Sequence, residues 1–370
     1  MFALILDAVL CAVAALLAVP ISVFSIEVAA ALSRRRIRFA ASGTRPSVAI
    51  LIPAHNEEAG IGATLRSIAP QLAASDRLIV VADNCTDATA SVAQSEGAQV
   101  VSRTNLEKRG KGFALDFGLQ HLRFNPPDMV IMVDADCRVT AGAIDELAKT
   151  CAAHRRPVQA QYLMQNEQHA RLKMRVAEFA WIVKNLVRPM GLVKLGLPCQ
   201  LMGSGMAFPW SIVSTMNLAD ADIVEDMKMG LRSARAGAAP IFCPQALVLS
   251  SFPTQEEGIR NQRTRWEHGH LGTILRESPS MLLQVAASCL AAAVFYALTG
   301  YRAPLLIIGS AAVIFGLAVL TAWSTHGRRI VSFPDLLSAC MYPLWKIPMY
   351  LQFVFSRQSE WVRSKRDKER

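Results

Sequence analysis

The chain lacks the patterns that identify zinc-binding, P-loop or nucleic-acid-binding proteins. Its eight cysteines lie far apart in 370 residues, with no CxxC pair and no zinc-ligand spacing, so we expect reduced thiols in the cytosol. No GxxxxGK[ST] sequence occurs, which argues against a P-loop phosphotransferase. Basic residues are not interleaved with base-stacking aromatics in the polar part of the chain, so we expect no nucleic-acid partner.

Long apolar segments are what the chain has in excess, and hydrophobic residues make up 52% of it. The first segment, residues 1–33, is long enough to cross a hydrocarbon core, which takes about 20 residues. Arg34, Arg35 and Arg36 follow at once. Because the basic cluster follows the apolar run, a retained transmembrane anchor is favoured over a cleaved signal peptide. The positive-inside rule then places the following chain in the cytoplasm.

Two further apolar regions lie near the C-terminal end of the sequence. Residues 281–325, with a "TGYR" turn inside, predict a transmembrane hairpin. Residues 326–370 predict an interfacial amphipathic segment and a basic cytoplasmic tail, since Pro343, Lys346 and Pro348 interrupt the apolar run. The net charge of +10 gathers beside these segments, which suits anionic headgroups. We therefore expect a multi-pass protein of the inner (cytoplasmic) membrane whose catalytic domain faces the cytoplasm.

Residues 34–280 read as alternating strands and helices, which predicts an α/β domain. The segments "SVAILIPAHNEE", "DRLIVVADNCTD" and "DMVIMVDADC" are near-continuous apolar runs that end in polar clusters. Such runs are typical of a mainly parallel sheet covered on both faces. In these sheets ligands bind outside the carboxyl ends of the strands, where the polar clusters lie.

The stretch "VIMVDADCRV" places Asp134 and Asp136 just past one of these strands. Two carboxylates there are compatible with a helix cap or a solvated turn. They are equally compatible with a divalent cation site, because Mg²⁺ and Mn²⁺ prefer oxygen ligands and commonly bridge carboxylates to substrate phosphates. The motif alone leaves the two interpretations open.

Four motifs in order decide between them: "VADNCTD", "VDAD", "IVEDM" and "QRTRW". Together they resemble the GT-A catalytic domain of glycosyltransferase family 2, in the membrane-embedded branch with cellulose, hyaluronan and chitin synthases and ceramide glucosyltransferase. The resemblance implies a Rossmann-like GT-A fold, a nucleotide-sugar donor and a Mg²⁺ or Mn²⁺ cofactor held by Asp136. The cation would neutralise the charge that develops on the departing nucleoside diphosphate.

The resemblance also assigns roles to individual residues. It implies that Asp226 is the catalytic base of an inverting transfer, with Glu225 beside it raising its pKa through like-charge repulsion. The residues implied to bind the donor nucleotide are His55, Asn56, Glu57, Asp83, Lys111, Asp134, Gln262 and Arg265. The residues implied to bind the acceptor are Trp266, Gly203, Ser204 and Gly205.

Simpler interpretations stand beside several of these assignments. Lys111 in "KRGKG" could belong to a solvated basic loop, and Glu225 and Asp226 to an acidic first turn of a helix. The "CQLMGSGMAF" segment departs from the family's Cys-Gly-Ser loop by three inserted residues. His268 and His270 are spaced by two, which does not place both on one helix face, so we interpret them as surface or phosphate contacts.

The expected function is an inverting transfer of a sugar to a lipid or lipid-linked glycan in cell-envelope or exopolysaccharide biosynthesis, with a UDP-sugar as the donor that the resemblance implies. One sugar per encounter is favoured because the chain shows fewer apolar segments than relatives that enclose a secretion channel. The alternatives are a processive polysaccharide synthase and, less in keeping with the motifs, a non-catalytic membrane scaffold that binds nucleotide sugars. Both Asp136 and Asp226 are present, which argues against the scaffold.

Overall fold

The computed structural model describes residues 2–33, 45–167, 170–219, 225–252, 294, 300 and 302–338. These residues form two compact units. One unit contains 2–33, 170–195, 294, 300 and 302–338, and the other contains 45–167, 196–219 and 225–252. Residues 170–195 lie inside the stretch predicted as the catalytic domain, yet they belong to the unit with the long apolar helices. The domain boundaries drawn from the sequence remain predictions.

The second unit is built on a mixed sheet of eight strands. They are β1 (Val48–Ala54), β2 (Arg77–Asp83), β3 (Gln99–Arg103), β4 (Met129–Met132), β5 (Arg138–Val139), β6 (Val158–Gln165), β7 (Met206–Pro209) and β8 (Ile241–Ser251). Their spatial order is β3-β2-β1-β4-β7-β6-β8-β5. The pairings β1–β2, β1–β4, β2–β3 and β6–β8 are parallel, and the other three are antiparallel.

Eleven α-helices have bounds within the described part of the chain. They are α1 (Phe2–Ala31), α2 (Ile61–Ile68), α3 (Thr89–Ser95), α4 (Lys111–Leu122), α5 (Ala143–His154), α6 (Leu172–Ile182), α7 (Arg188–Lys194), α8 (Trp210–Val213), α9 (Glu225–Arg235), α10 (Ala303–Ala322) and α11 (Phe333–Ser338). A π-helical turn, Val183–Val187, joins α6 to α7, and a second, Trp323–Gly327, follows α10.

Close packing of α4 on the sheet positions one end of that helix over the carboxyl edge. The buried strands β1 and β2 present Leu51 and Val81 to α4. A Cβ at Gly118 would lie 2.4 Å from Leu51 Cδ1, so the glycine allows this approach. The first residue of α4 is Lys111, which is thereby held beside the strand ends.

Strand direction brings the polar clusters to one edge of the sheet. Strands β1 to β4 are parallel, so their carboxyl ends meet there. Strand β7 is antiparallel to β4 and pairs Met206 with Met132, so the chain just before β7 lies at the same edge. Strand β6 is antiparallel to β7 and parallel to β8, which brings the carboxyl ends of β6 and β8 to that edge as well.

The first unit contains two helical segments long and apolar enough to cross a membrane, Leu10–Ala31 and Ala303–Gly327. Helices α1 and α10 pack together through Phe24 and Phe315, whose ring centroids are 5.3 Å apart. The other half of the predicted hairpin, apart from residue 294, and the segment from residue 339 onwards lie outside the described residues. By length and composition both segments are candidate membrane spans, and the anchor and the hairpin stay predictions.

Helix α7 is fastened to the C-terminal end of α1 by three contacts. Arg188 pairs with Glu27, whose side chain is 5% exposed. Lys194 Nζ donates hydrogen bonds of 2.6 Å to the carbonyl oxygens of Ala31 and Ser33, satisfying acceptors that a helix end leaves open. Between them, Gly191 lies so close to α1 that a Cβ there would come within 1.9 Å of the Glu27 carbonyl oxygen.

We predict that Gly191→Ala destabilises the protein because the added methyl group must push α7 away from the α1 backbone. Overpacking of this kind costs about 1–3 kcal/mol. Gly309→Ala in α10 is the matched control, since among the described residues nothing outside that helix lies within 4 Å of the Cβ position and alanine is about 1 kcal/mol better than glycine in a helix. Thermal unfolding of both variants in detergent should show a lower midpoint for Gly191→Ala only. Equal midpoints would contradict the close packing.

Candidate active site

The loops after β1 and β2 are hydrogen-bonded to each other. His55 Nδ1 donates to the Asp83 carbonyl oxygen at 2.7 Å, and Asn56 Oδ1 accepts from the Thr86 backbone N–H at 2.7 Å. Asn56 has φ of 54°, a left-handed conformation that asparagine tolerates. The Glu57 N–H donates to Thr89 Oγ1 at 2.7 Å. His55, Asn56 and Glu57, which are predicted to contact the nucleotide, are thus hydrogen-bonded to the segment that follows β2.

The Asp83 carboxylate is buried and already ion-paired. Arg103, the last residue of β3, binds Asp83 Oδ1, to which Asn84 Nδ2 also donates at 3.0 Å. The Arg103 guanidinium lies 5.6 Å from the centroid of the Phe113 ring and donates to the Lys108 carbonyl oxygen at 2.7 Å. The sequence interpretation did not include Arg103. Its position at the end of the short run "QVVSR" was the available signal, because the end of β3 lies at the same edge.

The Lys111 side chain contacts three segments of the site. Its Nζ lies 2.6 Å from Asp134 Oδ1 and 3.4 Å from Glu225 Oε1, and it donates to the Gly203 carbonyl oxygen at 2.7 Å. Burial alone would lower the pKa of Lys111, but Asp134 and Glu225 raise it above its ordinary value. Lys111 therefore stays charged and joins three chain segments, which rules out the solvated-loop interpretation.

Glu225 and Asp226 form the first turn of α9, as the helix-start interpretation expects, and they also face the site. Asp226 Oδ1 accepts from the Met227 N–H at 2.8 Å. A Cβ at Gly203 would lie 3.5 Å from Asp226 Oδ2. Burial raises the pKa of Glu225 to about 7, an effect that Lys111 opposes and Asp226 increases. Glu225 is ion-paired with Lys111 at 3.4 Å, and the charge of Asp226 also acts on Lys111.

Asp134, Asp136 and Cys137 place one potential ligand atom each within 4.8 Å of one another. The turn that carries them is held by buried side chains. Thr64 Oγ1 donates to the Ala135 carbonyl oxygen at 2.7 Å, and the Asp134 N–H donates to Ser204 Oγ at 3.1 Å. Two half-buried carboxylates on a fixed turn are a donor set that fits a hard divalent cation.

Each Asp136 oxygen accepts a hydrogen bond from a buried neighbour. Ser250 Oγ donates to Asp136 Oδ2 at 3.3 Å, and Cys137 Sγ donates to Asp136 Oδ1 at 3.7 Å. Burial raises the pKa of Tyr162 well above its usual range, and a hydrogen bond with Ser250 opposes that shift. Sequence reasoning missed Ser250, near the end of β8, and Tyr162, inside β6, because neither lies in a recognised motif.

The loop of residues 203–205 is held in place by hydrogen bonds and close packing. Ser204 is fully buried, and its Oγ donates to Cys137 Sγ at 3.2 Å. Gly205 has φ of 68°, and a Cβ there would lie 2.8 Å from Ala160 Cβ. Gln159 fixes the loop, since its Nε2 donates to the Ser204 carbonyl oxygen at 2.9 Å and its Oε1 accepts from the Met202 N–H at 2.8 Å. Acceptor binding by Gly203, Ser204 and Gly205 stays a prediction, and their described contacts are internal.

The remaining predicted residues lie outside the described part of the chain. These are Gln262, Arg265 and Trp266 of the "QRTRW" motif, together with His268 and His270. Their assigned roles stay predictions.

We predict that Glu225 makes the stability of the protein depend on pH. Its folded-state pKa of about 7 lies above the ordinary 4.5. The part of the free energy of unfolding that Glu225 contributes is therefore fully present below the ordinary pKa. It is lost as the pH rises through about 7. Glu225→Gln keeps the shape of the protonated side chain but cannot ionise, so the variant does not lose this stability. Thermal midpoints measured without divalent cations should fall more for the wild type than for the variant between about pH 5 and about pH 8. Parallel curves would contradict the raised pKa.

Several known proteins are similar to this chain. The family described as "Glycosyltransferase like family 2" matches residues 46–269, more than half of the chain. The probable glycosyltransferase YdaM of Bacillus subtilis (strain 168) is 25% identical over 249 residues, which is 62% of this chain and 57% of that protein. The 4,4'-diaponeurosporenoate glycosyltransferase of Staphylococcus aureus (strain USA300) is 42% identical over 93 residues, 24% of each protein. The chain thus covers about half of the first relative's length and a quarter of the second's.

Among solved structures, the mannosyltransferase PcManGT from Pyrobaculum calidifontis, in complex with GDP-Man and Mn²⁺, is similar with a TM-score of 0.51 and 15% identity. The likeness covers 92% of this chain and 95% of that one. At this identity it shows the fold, and the GT-A fold expected from the sequence is confirmed. With the family match over its sheet and its acidic motifs, the chain belongs to the glycosyltransferase-like family 2.

Proposed function

We propose that the chain is a membrane-bound inverting glycosyltransferase that moves a sugar from a UDP-sugar to a lipid or lipid-linked glycan. The observation that carries this proposal is the meeting of the two acidic motifs on one ammonium. Lys111 Nζ lies within 3.4 Å of carboxylates from both Asp134 and Glu225. The donor-side turn and the helix of the expected base therefore belong to one site.

Asp136, with Asp134, is the pair that would hold Mg²⁺ or Mn²⁺. Their carboxylate oxygens suit either ion, and the structural relative PcManGT is in complex with Mn²⁺. Such an ion, when bound, supplies positive charge where negative charge develops on a leaving diphosphate. Asp136 enters the site with its orientation fixed by Ser250 and Cys137.

The donor nucleotide binds, in this proposal, along the loops after β1 and β2. His55, Asn56 and Glu57 lie on one wall, and Asp83 lies behind it with its carboxylate oriented by Arg103. The hydrogen bonds between the two loops hold this wall in place before any ligand arrives, which lowers the ordering cost of binding. Gln262 and Arg265 are proposed to approach the diphosphate from outside the described residues.

Asp226 is proposed to take the proton from the acceptor hydroxyl. Its Oδ1 is held by the first turn of α9, and its Oδ2 is directed towards the loop at Gly203. Attack on the face opposite the leaving group gives inversion. Glu225 has a different role, because its side chain is 12% exposed and paired with Lys111, and it holds that ammonium in place between the motifs.

A membrane-borne acceptor is supported by the path of the chain. Helix α7 packs on the apolar helix α1, and only residues 195–198 separate its end from the loop that begins at Cys199. Along the chain, only a few residues therefore separate the predicted acceptor-side loop from the unit that contains both apolar helices. Addition of one sugar to a lipid or lipid-linked glycan at the cytoplasmic face, in cell-envelope or exopolysaccharide assembly, is the activity that we propose. Trp266 would offer an apolar face to the sugar.

We predict that two isosteric substitutions separate chemistry from binding. Asp226→Asn cannot accept a proton, so turnover should fall by about 10²-fold or more while Mn²⁺-dependent UDP affinity stays near wild type. Asp136→Asn should weaken UDP binding as well as turnover. Turnover of radiolabelled donor and calorimetric titration with UDP measure the two effects.

Asp145→Asn is the matched control for these substitutions. Asp145 pairs with Arg45 just before β1, at the opposite edge of the sheet, so its variant should behave as wild type in both assays. An Asp226→Asn variant with normal turnover would show that Asp226 is structural.

We predict that radiolabelled donor supplied to membranes labels an organic-soluble product, because the proposed acceptor is a lipid or lipid-linked glycan. Extraction into chloroform and methanol followed by chromatography separates this product from polymer, and Asp226→Asn membranes give the background. Label found only in a long water-soluble homopolymer made by the purified protein would instead identify a processive synthase.

A further inference from the structure

A buried polar chain runs from the interior of the sheet to the carboxylate proposed to bind the cation. Tyr162 lies on β6 and Ser250 near the end of β8, two strands that pair in parallel. Tyr162 is 7% exposed and Ser250 is 6% exposed. Tyr162 hydrogen-bonds with Ser250, and Ser250 Oγ donates to Asp136 Oδ2 at 3.3 Å.

We infer that Ser250, oriented by Tyr162, is a positioning residue that fixes the Asp136 carboxylate for cation binding. This inference rests on the proposed cation site. Buried polar groups at such depth require partners, and a hydroxyl on a rigid strand restricts the rotation of the carboxylate. The second oxygen, Oδ1, is contacted by Cys137 Sγ at 3.7 Å, a longer and weaker interaction. Ser250 is therefore the stronger of the two restraints.

The neighbouring strand residue shows why a hydroxyl at position 250 is not a generic strand feature. Ser251 follows immediately on β8 but is exposed on the other face of the sheet. The β6–β8 pairing is interrupted by a bulge between Ala160 and Gln161, just before Tyr162. Ser250 lies beside Asp136 because β5, which begins two residues after Asp136, pairs antiparallel with β8 and places Arg138 opposite Leu249.

The test measures Mn²⁺ affinity rather than activity alone. Full-length protein in detergent with saturating UDP is titrated with Mn²⁺, and free Mn²⁺ is followed by its electron paramagnetic resonance signal. Loss of an outer hydrogen bond to a metal ligand typically weakens metal affinity about 10–100-fold. Ser250→Ala should show a loss in that range, and Ser250→Thr, which keeps the hydroxyl, should recover most of the affinity.

Tyr162→Phe removes only the upstream hydroxyl, so it should weaken Mn²⁺ binding by a smaller factor, on the order of threefold or more. Ser251→Ala is the matched control and should bind Mn²⁺ as wild type does. A second readout is turnover against Mn²⁺ concentration: excess Mn²⁺ should restore the Ser250→Ala rate, whereas a folding defect would not respond to the cation.

Wild-type affinity in Ser250→Ala would overturn the inference while leaving the proposed function intact. If Ser250→Ala fails to fold, Tyr162→Phe decides, and unchanged Mn²⁺ affinity in that variant would overturn the inference. A wild-type protein that transfers sugar without binding Mn²⁺ would remove the cation site from the proposed function, and the role of Ser250 with it.

Discussion

The site depends on one ammonium group shared by acidic side chains that would otherwise repel one another. Lys111 binds Asp134 and Glu225 and also holds the carbonyl oxygen of Gly203. Without it, two partly buried carboxylates would lie close together with no positive charge between them, and an unpaired buried charge is destabilising. The position of Lys111 follows in turn from the close seating of α4 on β1, where Gly118 meets Leu51. A packing contact in the core thus sets the electrostatics of the edge.

Two carboxylates that are adjacent in sequence, those of Glu225 and Asp226, have different contacts in the site. Glu225 is directed to Lys111, whereas Asp226 is held by its own helix turn and directed towards Gly203. Their environments differ enough to give them different roles, which is a general way in which neighbouring acids are made unequal. The sequence interpretation treated them as a pair in which one raises the pKa of the other. In the structure the pKa of Glu225 is raised, chiefly by burial.

The parts of the site that could be predicted were those that follow from strand direction. An apolar run followed by acids, as at Asp83 and Asp134, places those acids at the carboxyl edge whatever the order of the strands. Ser250 and Tyr162 could not be predicted, because their approach to Asp136 depends on the pairing of β8 with both β5 and β6, which hydrophobic patterning does not show. The same limit applies to residues 170–195. The segment lies between predicted strands and was read as part of the α/β domain, and only its packing against α1 assigns it to the other unit.

The fastening of α7 to α1 has a consequence for how this protein can be divided. The chain leaves the sheet after β6, forms α6 and α7 in the unit with the apolar helices, and returns to form β7 in the middle of the sheet. Removing the terminal apolar segments would therefore not release a self-sufficient soluble enzyme, because Gly191 and the buried face around it would lose the surface that covers them. The two units are interlaced along the chain, so neither can be exchanged with that of a relative by a single crossover in the gene.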